Sequence, residues 1–217
     1  MLTLPLFPIR IVLFPSALLP LHIFELRYRQ LLADLAIRQP EDRQFGLLPP
    51  GDPAELPEAG TVGTVARLRG TQPLPDGRVN IVVGGERRFV LRAPVEARTP
   101  YFQGAVEWFD DESEIQIPAG DEVARLHLLG ERYAVAQHAL LDQSLDVELP
   151  RDAARLTFGI AALLEWDFEA LQRFLEMRSV AGRVTRLLAA LPKLVASAEA
   201  RAGVHERAKS NGHGSVV

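Results

Sequence analysis

The 217-residue chain contains no cysteine, which removes a disulfide scaffold, a thiol nucleophile, a CxxC redox pair and any cysteine-ligated zinc or iron–sulfur centre. Lysine is nearly absent as well, with two residues against 22 arginines. An arginine excess suits bidentate anion recognition, but a GC-rich coding sequence produces the same bias, so the excess alone assigns no ligand. There is no surplus of positive charge either. The 24 basic and 28 acidic side chains leave a net charge of −4 and a pI of about 5.8, against the basic footprint of nucleic-acid binders. Residues 1–112 and 113–217 each carry 12 basic and 14 acidic groups, so neither half hides a basic domain. No apolar run approaches the ~20 residues of a spanning helix, and the N-terminus lacks the basic segment and small-residue cleavage site of a signal peptide. The expectation is a soluble, cytoplasmic protein with no membrane contact.

What is present divides the chain by period. Residues 1–21 are apolar but interrupted by Pro5, Pro8, Pro15 and Pro20, which excludes a helix and favours short extended pieces joined by bends. Residues 61–68 alternate Val62, Thr64, Ala66 and Leu68 against Gly63, Val65 and Arg67, the pattern of a half-buried strand. Val79, Ile81 and Val83 repeat it, and Pro75-Asp76-Gly77 between the two runs predicts an antiparallel hairpin. Phe89 and Leu91 face a core with Arg88, Val90 and Arg92 opposite, and residues 101–109 form another candidate strand. Such short strands imply a barrel or folded-over sheet. One helix interrupts them, with Tyr28, Leu31, Leu32 and Leu35 on its inner face. Pro49, Pro50, Pro53 and Pro57 predict a stiff loop.

The acidic stretch Asp110-Asp111-Glu112-Ser113-Glu114, with Pro118 and Gly120 after it, marks the expected boundary. The division is 1–112 for the β domain with its helix, 113–120 for a linker, 121–200 for a helical bundle and 201–217 for a disordered tail. Beyond the linker the period is helical, with Val123, Leu126, Tyr133, Leu140 and Leu141 offered as apolar contacts on the first helix. Asp152, Asp167 and Ser179 stand where N-caps start three more helices. Pro192 is expected to kink the last, whose stripe runs from Val180 through Val184, Leu187 and Leu191 to Val195. The small and polar residues from Arg201 onward predict disorder.

Chemistry-bearing motifs are few. His22 and Glu25 form an H-x-x-E whose spacing fits no zinc motif, and a structural His22 donating to a backbone carbonyl is the favoured reading. His127 and His138 are about 16 Å apart along a continuous helix and cannot share a metal. Gly84-Gly85 lacks both G-x-G-x-x-G and G-x-x-x-x-G-K-[ST] context and reads as a turn or bulge. Ser16, Ser113, Ser144, Ser179, Ser197, Ser210 and Ser215 lie outside any G-x-S-x-G elbow and have no visible His or Lys partner. The carboxylates at 110–114 read as a solvated spacer. No catalytic residue, metal ligand or cofactor motif is assigned. Phe102 and Trp108 share one face of their strand by parity, and that face either forms an apolar binding surface or packs against the helical half.

The opening blocks Pro5-Leu6-Phe7-Pro8, Val12-Leu13-Phe14-Pro15 and residues 19–29, LPLHIFELRYR, together resemble the signature of the N-terminal, substrate-binding domain of the ATP-dependent Lon protease. Residues 60–66, Leu74-Pro75-Asp76-Gly77, residues 85–89 and Pro100-Tyr101 continue the similarity. Leu149-Pro150, Ile160-Ala161, residues 174–177 and Arg183 extend it into the helical half, so that it spans about residues 2–195. Leu26 stands where the family often has proline and Val184 where leucine is common, both apolar exchanges. The resemblance implies an α+β fold, a PUA-like β pseudo-barrel followed by an α-helical bundle.

It also implies recognition of polypeptides. In Lon proteases this region precedes an ATPase with a phosphate loop and a peptidase with a serine–lysine dyad, and 217 residues leave no room for them. The expectation is a stand-alone, non-catalytic module that binds unfolded or tagged polypeptides without a cofactor, as an adaptor or weak holdase, with a separate Lon protease as a further partner. The alternative is an RNA-binding PUA-like protein, which the charge disfavours. A small-molecule sensor is a third possibility, without a charged clamp or cofactor motif to support it. Phe102 and Trp108 are the expected peptide contacts.

Overall fold

A computed structural model describes residues 2–51, 57–113, 117–141 and 148–212, the last three without side chains. Pro53, Glu114, Ser144, Ser215 and the end of the expected tail lie outside the described residues. The chain forms two compact units. The first comprises Met1–Glu112 and Leu164–Arg178, the second Ser113–Leu163 and Ser179–Val217.

The first unit is built on a mixed six-stranded sheet of β1 (Leu2–Pro8), β2 (Leu18–Ile23), β3 (Gln44–Leu48), β4 (Val62–Pro73), β5 (Val79–Val95) and β6 (Gln103–Trp108). β5 has 17 residues. It pairs with β4 along one edge, and along the other with β2 over Val79–Gly84 and then with β6 over Phe89–Val95. β3, β1 and β6 complete a ring back to β5, with β1 and β3 parallel and the other pairs antiparallel. The ring is not a regular barrel: β2 ends the sheet outside it, and register shifts interrupt β4 and β5.

The hairpin expected at residues 75–77 joins β4 to β5. The Gly77 amide donates to the Leu74 carbonyl, Asp76 accepts from the Arg78 amide, and Gly77 takes φ +80°, which glycine adopts without a Cβ penalty. Helix α1 (Leu26–Ala36) buries Tyr28, Leu31, Leu32 and Leu35, the predicted stripe, in a core with Phe7, Phe45, Ile81 and Val83. A smaller core holds Leu4, Leu6, Val65, Phe89, Leu91 and Val106. Because Ala66 joins the first core and Val65 the second, residues 62–66 are buried on both faces, and the half-buried strand expected there does not occur.

Segment 164–178, expected in the helical bundle, belongs to the first unit. Its helix α4 (Phe168–Leu175) buries Phe174 edge-on to Phe14 at 6.1 Å, and Gln172 donates to the Val62 carbonyl at 3.0 Å. Asp167 caps it by accepting from the Ala170 amide.

The second unit consists of α2 (Gly120–Leu140), α3 (Ala153–Ala161) and α5 (Val180–Gly212). α2 buries Leu126, Leu129, Tyr133 and Ala136, while Leu141, which follows it, is exposed, so the expected stripe shifts. Gly130 lies where a Cβ would press on Ile160 at 2.7 Å, which lets α3 approach closely. Asp152 caps α3 and Ser179 accepts from the Gly182 amide, as their positions predict. α5 buries Val184, Leu187, Leu191 and Val195, passes Pro192 as one helix, and continues to Gly212. Disorder from Arg201 is thus overturned through residue 212, where Ala, Arg, Glu and Lys supply helix propensity.

Candidate functional site

The first unit presents a groove on the outer face of β2, β5 and β4. Along β2, Leu21 and Ile23 enter the core while Leu18, Pro20 and His22 face outward, Leu18 with 70% of its surface exposed. Pro20 pairs with Val82 and Val82 with Gly70, which places three uncharged positions side by side across three strands. They wall the apolar part of a cavity of about 500 Å³, and His22, Asn80 and Gln72 wall its polar part. Asn80 Nδ2 donates to Gln72 Oε1 at 3.3 Å, leaving its Oδ1 to accept from His22 Nδ1 at 2.7 Å. His22 Nε2 faces Arg78 Nη1 at 3.3 Å. His22 therefore bonds side chains, correcting the expected backbone carbonyl, because its outward parity points it away from the main chain. Glu25 pairs with Arg27 at 2.8 Å, and among the described residues no three His, Cys, Asp or Glu gather as a metal site.

The two expected contact residues stand at opposite ends of β6. Phe102 precedes the strand and is partly buried against the smaller core, with Arg27 over its ring at 5.9 Å. Trp108 ends the strand, 42% exposed, under the Arg87 guanidinium at 4.6 Å. Six residue steps separate them, about 20 Å of strand, and Gly104 and Val106 of the same face are buried between them. Their shared parity does not make one continuous exposed patch.

Sequence parity missed Arg88. It was expected on the face opposite the core, but only 4% of it is exposed. Its guanidinium donates to the Leu175 and Met177 carbonyls at 2.5 and 2.8 Å and pairs with Asp111 at 2.5 Å. The neighbouring Arg87 is bidentate on Asp110, and this bond holds the Asp110 carboxyl below the usual carboxylate range. The 110–114 stretch is thus no simple solvated spacer over Asp110 and Asp111. The signal was the pair of doublets, Arg87-Arg88 within β5 and Asp110-Asp111 just beyond β6, both next to the Phe89–Trp108 pair of the two strands.

The remaining candidates are structural. Gly85 does not open a phosphate loop: its carbonyl accepts from the Ser16 amide and its amide donates to the Ala17 carbonyl, both at 2.8 Å. A Cβ on Gly85 would collide with the Phe14 carbonyl oxygen. Ser179 caps α5 and Ser16 sits at φ +67° in the bend before β2. His127 faces Glu131 and the Leu149 carbonyl. Burial pushes the Tyr28 hydroxyl up to about 12, and burial with the Asp34 hydrogen bond does the same for Tyr101, so both are neutral phenols at pH 7. Among the described residues no helix is long and apolar enough to cross a membrane.

Among the described residues a mixed six-stranded sheet and five α-helices define an α+β class. The family model for the substrate-binding domain of ATP-dependent protease La (LON) matches residues 3–193, and the chain belongs to that family. It is similar to the Lon protease of Cytophaga hutchinsonii, 24% identical over 94% of this chain and 26% of that protein. A 30% identical stretch of the Lon protease of Amoebophilus asiaticus covers 61% of this chain and 16% of that protein. The chain thus spans about a quarter or less of these curated relatives. A crystal structure of a Lon N-terminal domain protein from Xanthomonas campestris superposes with TM-score 0.63 at 25% identity, covering 88% of this chain and all of that one. The N-terminal domain of a Mycobacterium avium complex Lon protease has TM-score 0.58 at 16% identity, over 89% of this chain and 98% of that one, a likeness of fold.

Proposed function

We propose that the chain is a non-catalytic polypeptide-recognition module of the cytoplasm, binding unfolded or tagged polypeptides as an adaptor or weak holdase, with a separate Lon protease as a further partner. Membership of the substrate-binding family over residues 3–193 carries this reading. The outward Leu18, Pro20 and Val82 supply apolar surface of the kind that holds an unfolded segment. Trp108, and the uncovered part of Phe102, are further proposed contacts.

The test is a titration of labelled, reduced and carboxymethylated α-lactalbumin against the protein, beside the native form and a single-stranded RNA oligonucleotide. Saturable binding of the unfolded polypeptide alone is the expected result. Binding of RNA alone, weakening steeply with salt, would transfer the assignment to the RNA-binding alternative. With the fold intact, Trp108→Ala should weaken polypeptide binding; unchanged affinity removes Trp108 from the contact surface.

A further inference from the structure

The sequence contains a single Asp-Gly step, Asp76-Gly77, at the turn between β4 and β5. In such a step the amide nitrogen after the aspartate can attack the side-chain carboxyl carbon, and glycine leaves that nitrogen unshielded because it has no Cβ. The single Asn-Gly step, Asn211-Gly212, offers the same chemistry near the other end of the sequence.

The turn withholds Asp76-Gly77 from this reaction, first by conformation. The Gly77 amide donates to the Leu74 carbonyl at 2.9 Å and the Leu74 amide donates to the Arg78 carbonyl at 2.8 Å, with Gly77 at φ +80°. Asp76 is not among the residues of positive φ, which excludes a type II turn, so Pro75 and Asp76 are the central pair of a type I turn closed by Gly77. The second central residue of that turn has ψ of about 0°. Closing a five-membered ring requires the Gly77 nitrogen to eclipse the Asp76 Cβ, roughly a third of a full rotation away from the turn's ψ. The chain reaches that geometry only by releasing the hairpin bonds.

The two reacting groups are also occupied. The nucleophile must lose its proton, which the Leu74 carbonyl holds. The departing oxygen leaves as water only from a protonated carboxyl, yet Asp76 accepts from Arg78 Nε at 2.6 Å and from the Arg78 amide at 3.1 Å. The side-chain bond, and after it the amide bond, hold this carboxyl below the usual carboxylate range.

We propose that Asp76-Gly77 is a site of spontaneous isoaspartate formation which the closed hairpin suppresses, with Arg78 and the Pro75 turn as its two restraints. When the turn opens, the Gly77 nitrogen gives up its proton and bonds the Asp76 Cγ, while a Cγ–O bond breaks and the oxygen leaves with two protons as water. The resulting succinimide takes one water back. Attack at the Asp76 main-chain carbonyl breaks its bond to the Gly77 nitrogen and leaves the chain routed through Cβ and Cγ. Mass is unchanged, but the turn gains one main-chain atom, which disturbs the register that pairs Pro73 with Val79. The site is independent of what the protein binds.

The test is isoaspartate accumulation at residue 76, read by peptide mapping with electron-transfer fragmentation, which separates this site from Asn211-Gly212. The folded protein and the same protein unfolded in guanidinium chloride are incubated in one mildly acidic buffer. The unfolded chain should isomerise roughly tenfold faster or more, the factor set by the cost of opening the turn. Folded Arg78→Ala and folded Pro75→Ala should each isomerise a few-fold faster than wild type, the first by freeing the carboxyl and the second by loosening the turn. Equal rates in the folded and unfolded wild type overturn the suppression, and no isoaspartate at residue 76 in the unfolded chain overturns the site. An unchanged rate in a folded variant overturns the restraint assigned to that residue.

Discussion

Each unit buries an arginine, and the two are held in different ways. Arg88 in the sheet unit meets the Asp111 carboxylate and two backbone carbonyls of a segment 87 and 89 residues further along the chain. Arg183 in the helical unit donates to the Thr157 hydroxyl at 3.0 Å and lies 4.1 Å from the centroid of Phe158, joining helices that neighbour one another in that unit. A buried guanidinium needs its donors satisfied in both settings. In the sheet unit the partners come from remote sequence, so the charge doubles as a tether for residues 164–178.

Removing the tether should have the largest effect. Arg88→Met leaves Asp111 and two carbonyls buried or half-buried without their donor, and a loss of about 3–5 kcal/mol in urea unfolding is expected. Hydrogen exchange should rise first in α4. Arg183→Met removes the bond to the Thr157 hydroxyl and should cost about 1–3 kcal/mol, with faster exchange in α3 and α5. Exchange in α4 that does not change in Arg88→Met would erase the distinction between the two arginines.

A contrast within the sheet unit gives the next effect. Gly85 and Gly70 both lie on the β4–β5 hairpin, but a Cβ at Gly85 strikes the Phe14 carbonyl while one at Gly70 meets open space. Gly85→Ala should therefore destabilise by about 1–3 kcal/mol, as overpacking does. Gly70→Ala should stay within about 0.5 kcal/mol. Thermal midpoints of the two variants decide the matter, and a large loss at Gly70 would mean that its backbone has a structural duty.

These contrasts show where the sequence was legible. The stripe of α1, the 75–77 turn and the caps at Asp152, Asp167 and Ser179 are local, set by neighbours within four residues, and they follow from pattern alone. Period 2 places Arg88 outward because it says only that Arg88 opposes Phe89. What covers that side is α4, and no local pattern announces the chain's return. Gly84-Gly85 reads as a turn or bulge, and the bulge is what occurs: the β4–β5 register shifts just after Gly85, while β5 continues through both glycines because β2 and β4 pair with it there. The groove was obscured by proline: Pro15 and Pro20 read as bends, whereas Pro20 sits within β2, allowed by its place on the sheet edge. Phe102 and Trp108 were joined by parity, but parity does not reveal that Gly104 and Val106 bury the middle of the face.

The exposed counterpart of the Arg88 tether is the Arg87–Asp110 pair, and acid should separate the two with the smallest effect. Hydrogen bonding from Arg87 lowers the folded-state pKa of Asp110 below its ordinary 3.8. A carboxyl with a depressed folded value contributes stability that is fully present above the unfolded value and fades as pH falls through the folded one. The pair should thus help at pH 7 and lose its contribution below about pH 4. Both side chains are about half exposed, 49% and 53%, so solvent screening limits the gain to under about 1 kcal/mol. Urea midpoints of wild type and Arg87→Ala should differ slightly at pH 7 and draw together as pH falls below the unfolded value of 3.8. A gap that does not narrow with acid would assign the role of Arg87 to its stacking on Trp108, 4.6 Å away, which does not depend on the carboxylate.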